Sequence, residues 1–171
     1  LLAGLESPRK GVIGPWSHSF PHNGVPGPAI GYLQEALRWW DHWLKGIDTG
    51  VMDEPMLRVW MQDYVAPAPF HAQRPGRWVA EYAWPSARIE PLRLHLGASA
   101  TLLDAPSAAA TLGLCSPQPT GLAGAVWCGF GGEGEAPLDQ RSDDGRSLTF
   151  DSAPLASDLE ILGAAEATLT V

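Results

Sequence analysis

A strand–loop–helix segment followed by an antiparallel β-sandwich or jelly roll is the fold class this sequence predicts, and three observations predict it. Apolar side chains recur at helical spacing from Ala29 to Lys45, and beyond Pro55 the apolar period switches to two. The 19 glycines and 16 prolines are dispersed and follow no repeat, so they punctuate many short elements. With 171 residues, 45% of them hydrophobic, the chain has the material for a core.

In chain order, residues 1–10 read as a helix remnant leading into a strand. Gly11-Val12-Ile13-Gly14 is short and uncharged, as a buried strand tip is. Residues 17–28 hold Pro21, Pro26, Pro28 and Asn23-Gly24, a loop composition. Pro28 then stands where a helix can start, and Leu33, Ala36, Leu37, Trp40, Trp43 and Leu44 mark one helical face. Lys45 and Gly46 fit the C-terminus of that helix. A face so rich in aromatic groups needs a large partner surface, such as a sheet. The polar stretch from Ile47 to Glu54 is a linker, which divides the chain into segments 1–53 and 54–171.

Period-two alternation then marks strands at Leu57–Met61, Leu92–Leu96, Leu148–Phe150, Leu159–Ile161 and Ala167–Val171. Strands at such intervals, with Pro/Gly turns between them, indicate the sandwich. The alternation is still running at Val171, so the sandwich is expected to be incomplete and the sequence to be the late part of a longer chain.

Composition excludes several classes. A formal net charge of -8 and a pI near 4.9, with no basic cluster longer than Arg9-Lys10, exclude nucleic acid as a partner. No apolar run is long enough to span a membrane, and no signal-peptide succession opens the sequence. A soluble protein is expected, with the cytoplasm first among compartments that stay open. Cys115 and Cys128 read as two free, partly buried thiols. No cofactor is implied. His18 and His22 are four apart, but Pro21 forbids the helix that would align them, and Asp41-His42 reads as a solvated helix flank, so no metal site is assigned.

The residues that can carry chemistry centre on Gly14-Pro15-Trp16-Ser17-His18-Ser19. A histidine in a loop directly after a strand lies at a sheet edge, where it can act as a base if a carboxylate fixes its second nitrogen. His18 is therefore the candidate catalytic residue, with a structural loop histidine as the rival reading. Trp16 and Ser17 beside it are substrate-pocket candidates. Only Glu6, Ser7 and Ser17 precede His18 as acid or nucleophile, and none has the spacing to complete a triad in the order Ser, acid, His. Gly97-Ala98-Ser99-Ala100-Thr101 imitates a nucleophile elbow, but Thr101 replaces its second glycine and a hairpin turn is preferred. Trp39, Trp40 and Trp43 are read as core. Trp60, Trp78 and Trp84 either seal an interface or bind a glycan. Asp139-Gln140-Arg141 with Asp143-Asp144 reads as a salt-bridged turn.

The sequence resembles the CocE/NonD family of serine hydrolases, the cocaine-esterase-like group related to X-Pro dipeptidyl-peptidases of the S15 class. The resemblance rests on Ile13 to Ser19, on Trp43-Leu44-Lys45-Gly46 with Asp48-Thr49-Gly50, and on Pro55 to Met61. It continues through Pro75-Gly76-Arg77-Trp78, Trp84-Pro85, Pro137 to Arg141, Leu148 to Leu155 and Asp158 to Gly163. It implies the end of an α/β-hydrolase domain over 1–53 and a jelly-roll (galactose-binding-like) domain over 54–171. It further implies that His18 is the catalytic histidine of an acyl-ester or X-Pro dipeptidyl amide hydrolase. Nucleophile and acid would lie in an upstream portion of the same polypeptide, leaving this chain inactive alone. Its partners would be a small ester or peptide substrate, that upstream portion and a possible second copy in a homodimer. The alternative from another class is a non-catalytic β-sandwich module that binds a glycan or a protein surface.

Overall fold

The computed structural model describes residues 2–170. It shows a mixed α/β domain with two small sheets and few helices. In chain order the elements are β1 (Gly11–Ile13), α1 (Tyr32–Lys45), β2 (Leu57–Gln62), β3 (Gly76–Glu81), β4 (His95–Gly97), β5 (Thr101–Leu103) and α2 (Arg141–Asp144). One sheet has the order β1-β2-β3, and β4-β5 form the other.

β2 is the centre. Its alternation sends Leu57 and Val59 inward, where they and Val51 are the buried apolar side chains among the described residues; Leu57 is 1% exposed. β1 runs parallel to it, with Gly11 opposite Leu57 and Ile13 opposite Val59, and the Gly11 N–H donates to Met56 O at 2.8 Å. β3 runs antiparallel on the other side and sets Trp78 opposite Trp60. Strand pairing therefore crosses the expected division at residues 53 and 54. β3 ends at Glu81, a buried carboxylate that accepts from Ser86 Oγ at 2.6 Å and pairs with Arg88 Nη2 at 2.5 Å, so its charge is compensated.

The helix starts at Tyr32, three residues later than its apolar pattern, with Gly31 as its N-cap. Its C-terminus is closed by a glycine in the left-handed conformation. Gly46, at φ 69°, donates to His42 O at 3.2 Å, and the Ile47 N–H donates to Asp41 O at 3.1 Å. Lys45 pairs with Asp41 one turn back at 2.6 Å.

The seating of α1 reverses the expected one. Its charged side meets the rest of the fold: Glu35 Oε2 lies 2.9 Å from Arg58 Nη2 on β2, and Arg38 Nη2 lies 2.5 Å from Glu54 Oε1. Arg38 also donates to Thr49 O at 3.1 Å while Thr49 Oγ1 donates to Arg38 O at 3.0 Å. The bond to Glu54 raises the Arg38 pKa, and burial lowers that of Lys10, whose ammonium donates to the carbonyls of Met52 and Glu54. The expected core face is the outer one, with Leu33 60% and Leu44 74% exposed and no residue of α1 buried. The physical reason is that β2 offers Arg58, with Glu54 just ahead of it, where an apolar helix face would need apolar side chains. Asp41 and His42, expected on a solvated flank, are half-buried.

Beyond β3 regular structure thins out. β4 and β5 form a hairpin around Ala98-Ser99-Ala100, closed by Ala100 N–H to Gly97 O at 3.2 Å, so Ser99 stands in a hairpin turn. β4 is shorter than the predicted Leu92–Leu96 run and shifted past it. Among the described residues no strand forms over 148–150, 159–161 or 167–170, and Val171 lies outside them. An isolated bridge from Asp151 to Thr101 is what remains of that expectation. A strand needs an edge to pair with, and the two small sheets do not extend to these segments; no closed sandwich forms among the described residues. α2 replaces the expected salt-bridged hairpin with a helical turn, while the Arg141–Asp139 pair does form and holds the Asp139 carboxyl at about 2. Cys115 and Cys128 are free and exposed, not partly buried.

The Glu81 cluster makes stability depend on pH. The Arg88 guanidinium first, and the Ser86 hydroxyl second, hold its carboxyl below the ordinary 4.5. A depressed native pKa means that the charged form stabilises the fold above the unfolded-state value, and that this contribution is lost as pH falls through the native value. Urea unfolding of wild type and Glu81→Gln should show the variant less stable at about pH 7 and the gap closing towards about pH 3. A gap that is constant or widens on acidification would contradict the assignment.

Candidate functional site

The chain leaves β1 through Gly14-Pro15 and turns at Trp16. The Trp16 indole lies so close to the backbone of Gly14 and Gly24 that a β-carbon at either would approach the ring to 2.6 or 2.7 Å. Trp16 Nε1 donates to Pro28 O at 2.8 Å, and its ring lies 6.3 Å from that of Trp78, itself edge-to-face with Trp60 at 5.3 Å. The indole thus anchors the loop to the β2–β3 pair.

Ser17 and His18 follow. The Ser17 hydroxyl donates to Val25 O at 2.6 Å. The His18 N–H donates to Gly129 O at 2.9 Å, and its ring meets the edge of Phe130 at 5.3 Å. Among the described residues no carboxylate or hydroxyl hydrogen-bonds to the His18 ring. The structure therefore brings Ser17 and His18 against a late loop around residues 129–131, while Trp16 packs on the other side, towards Trp78. That contact had no local signal in the sequence beyond the glycines at 129, 131, 132 and 134 that permit close backbone approach. Gly131, at φ 87°, passes so close that a β-carbon there would lie 2.8 Å from Ser17 Oγ.

Two further surfaces stand out. The outer stripe of α1, Leu33, Leu37, Trp40 and Leu44, is more than half exposed throughout. Leu122, Val126, Trp127 and Phe130 form an apolar loop in which Trp127 is 94% exposed. Among the described residues no group of three or more His, Cys, Asp or Glu could hold a metal ion, and no helix is long and apolar enough to cross a membrane.

Residues 49–171 match the family described as the X-Pro dipeptidyl-peptidase C-terminal non-catalytic domain. The chain belongs to that family. It is also similar to candidate serine esterases of Mycobacterium bovis and Mycobacterium tuberculosis, each 29% identical over 94% of this chain and 25% of the relative. The chain thus spans about a quarter of the length of the curated relatives it matches. No solved structure matches it. The resemblance to the CocE/NonD and S15 group holds, and the chain is of esterase and peptidase lineage.

The family match corrects the expected function. A serine hydrolase to which this chain contributes the catalytic histidine gives way to the alternative, a non-catalytic binding module, because the matched domain is the non-catalytic one. His18 itself lies before the matched span, and its ring meets the edge of Phe130.

The structural weight of Trp16 can be measured. Trp16→Phe keeps the ring contacts and loses one hydrogen bond, an expected cost of about 1 kcal/mol, whereas Trp16→Ala opens the space between Gly14, Gly24 and Trp78 and should cost about 3 kcal/mol. Urea unfolding reads both. Wild-type stability in the alanine variant would show that the indole serves something other than the fold.

Proposed function

We propose that this chain is a non-catalytic interaction module that docks on the catalytic portion of its own, longer polypeptide, a serine-hydrolase body of the class named for its mycobacterial relatives. Residues 1–53 are then the tail of that body and 54–171 the module proper; joined by the β1–β2 pairing and the α1 ion pairs they dock as one unit, and the β2–β3 and β4–β5 pairs are parts of a jelly-roll sandwich that the docked state completes.

The observation that carries this reading is surface area. The chain exposes 12752 Å², whereas a folded monomer of its mass exposes about 8,100 Å². Stable obligate interfaces bury on the order of 2,000–5,000 Å² over both partners together; the excess of about 4,600 Å² on this chain alone exceeds one partner's half-share, so more than one of its faces is suited to being covered. α1 locates the docking face: a helix held inward by ion pairs and presenting leucine and tryptophan outward is made to be covered by a second apolar layer. Relatives about four times as long supply a candidate for the covering layer within one polypeptide. The protein-surface branch of binding is favoured over the glycan branch because Trp60 and Trp78 are spent on each other and on Trp16.

The test compares one substitution in two settings. Leu37→Glu lies on the outer face, so in the isolated chain it should change stability by less than about 0.5 kcal/mol. In the full-length polypeptide the same change buries a carboxylate and should cost about 3 kcal/mol or separate the module from the body. Chemical unfolding reads both, and ultracentrifugation of the isolated chain reads self-association. Neutrality in both settings, or a dimer of the isolated chain dissolved by Leu37→Glu, would overturn the intramolecular reading.

A further inference from the structure

We propose that the cavity beside the β2–β3 connection is a binding site for a small organic carboxylate with an apolar body, held by Arg74. The inference does not depend on how α1 docks. The cavity measures about 280 Å³. Pockets for drug-sized ligands hold about 300–1,000 Å³. At about 30 Å³ of liquid volume per water-sized group, this one fits a ligand of roughly nine non-hydrogen atoms.

Three segments far apart in sequence build it: the turn after β1, the β2–β3 connection and the late loop. Backbone hydrogen bonds fix the walls to one another. Gly27 N–H donates to Ala72 O at 2.9 Å, Arg74 N–H to Gly27 O at 3.0 Å, and Gly134 N–H to Pro69 O at 3.0 Å. Trp60 Nε1 donates to Arg74 O at 3.0 Å, so the backbone that carries the guanidinium is pinned on both sides. A site held this way loses little freedom when a ligand enters.

The chemistry of the lining is asymmetric. Phe70, Val126 and three prolines (Pro15, Pro26 and Pro137) make the walls apolar. Among them stands Arg74, whose Nε is shut off and donates to no acceptor, so that it is the two Nη groups that a ligand would meet. Elsewhere among the described residues arginine pairs with a carboxylate (Arg38 with Glu54, Arg58 with Glu35, Arg77 with Glu160, Arg88 with Glu81, Arg141 with Asp139), donates to backbone carbonyls (Arg9) or is open to solvent. Arg74 is half-buried and has no side-chain partner among those residues. A guanidinium on an apolar cavity calls for a planar anion that can accept two parallel N–H bonds, which a carboxylate is. Glu135 also lines the cavity, but its Oε2 accepts from Gly132 N–H at 2.7 Å and it makes no ion pair with Arg74. Its charge opposes a second anion, which limits the site to a ligand carrying one carboxylate and an uncharged body.

The experiment is an NMR titration of the ¹⁵N-labelled chain with cyclohexanecarboxylate and, separately, cyclohexanecarboxamide, following the Arg74 Nε–H resonance. The acid should bind saturably with a Kd of about 1 mM, the scale for so small a ligand, and the amide at least about tenfold more weakly. Arg74→Gln should abolish the preference for the acid, and Glu135→Gln, which keeps the acceptor for Gly132, should tighten acid binding by about threefold. Val126→Trp, a change on an exposed loop, should fill the cavity and remove binding of both. No saturable shift, equal binding of acid and amide, or an acid preference that survives Arg74→Gln would each overturn the proposal.

Discussion

The backbone ladder of β2 is the constraint on which the rest of this structure depends. It is the strand with partners on both sides, and it contributes two of the three buried apolar side chains among the described residues. Parallel pairing with β1 fixes where the chain emerges at Gly14, and antiparallel pairing with β3 fixes where the β2–β3 connection returns. Those two ends are what bring the Trp16 turn and the Arg74 segment side by side. The glycine-rich loop at 129–134 then closes over both through backbone bonds to His18 and Pro69. Nothing in the turn or the loop is regular structure; both inherit their order from one six-residue strand.

Much of this was legible in the sequence where the signal is local. The alternation of Leu57, Val59 and Met61 gave β2, the apolar spacing gave α1, and Gly46 gave its end. β3 was harder. Gly76, Arg77, Ala80 and Glu81 show no alternation, and Glu81 is tolerated inside only because Ser86 and Arg88 compensate it from beyond the strand. The strand readings after residue 147 illustrate the opposite error. Alternation at Leu148–Phe150 or Leu159–Ile161 states which face a strand would bury, but not whether an edge exists to receive it. The site divides along the same line. Trp16, Ser17 and His18 stood out as a motif, whereas Arg74 and Glu135 lie 61 positions apart and only the fold puts them on one cavity.

Residue types alone do not decide what the motif does. A histidine after a strand needs a fixed carboxylate before it becomes a base. Here the ring meets Phe130, and its backbone, with that of Ser17, is occupied in holding the turn to its neighbours. These contacts give the motif a part in the architecture of the turn.

The seating of α1 is set by ion pairs and not by apolar burial. Rolling the helix to bury Leu33, Leu37, Trp40 and Leu44 against its own sheet would hide apolar area, which is favourable by about 25 cal/mol per Å². It would also break the Arg58–Glu35 and Arg38–Glu54 pairs and the reciprocal Arg38–Thr49 bonds, and would press leucines against Arg58. Half-buried ion pairs of this kind add little net stability compared with apolar packing, but removing one partner of such a pair is costly. They therefore act on orientation more than on energy. The network rules out the inward solution, and the apolar stripe is left facing outward, where a second apolar layer can cover it without disturbing a single ion pair.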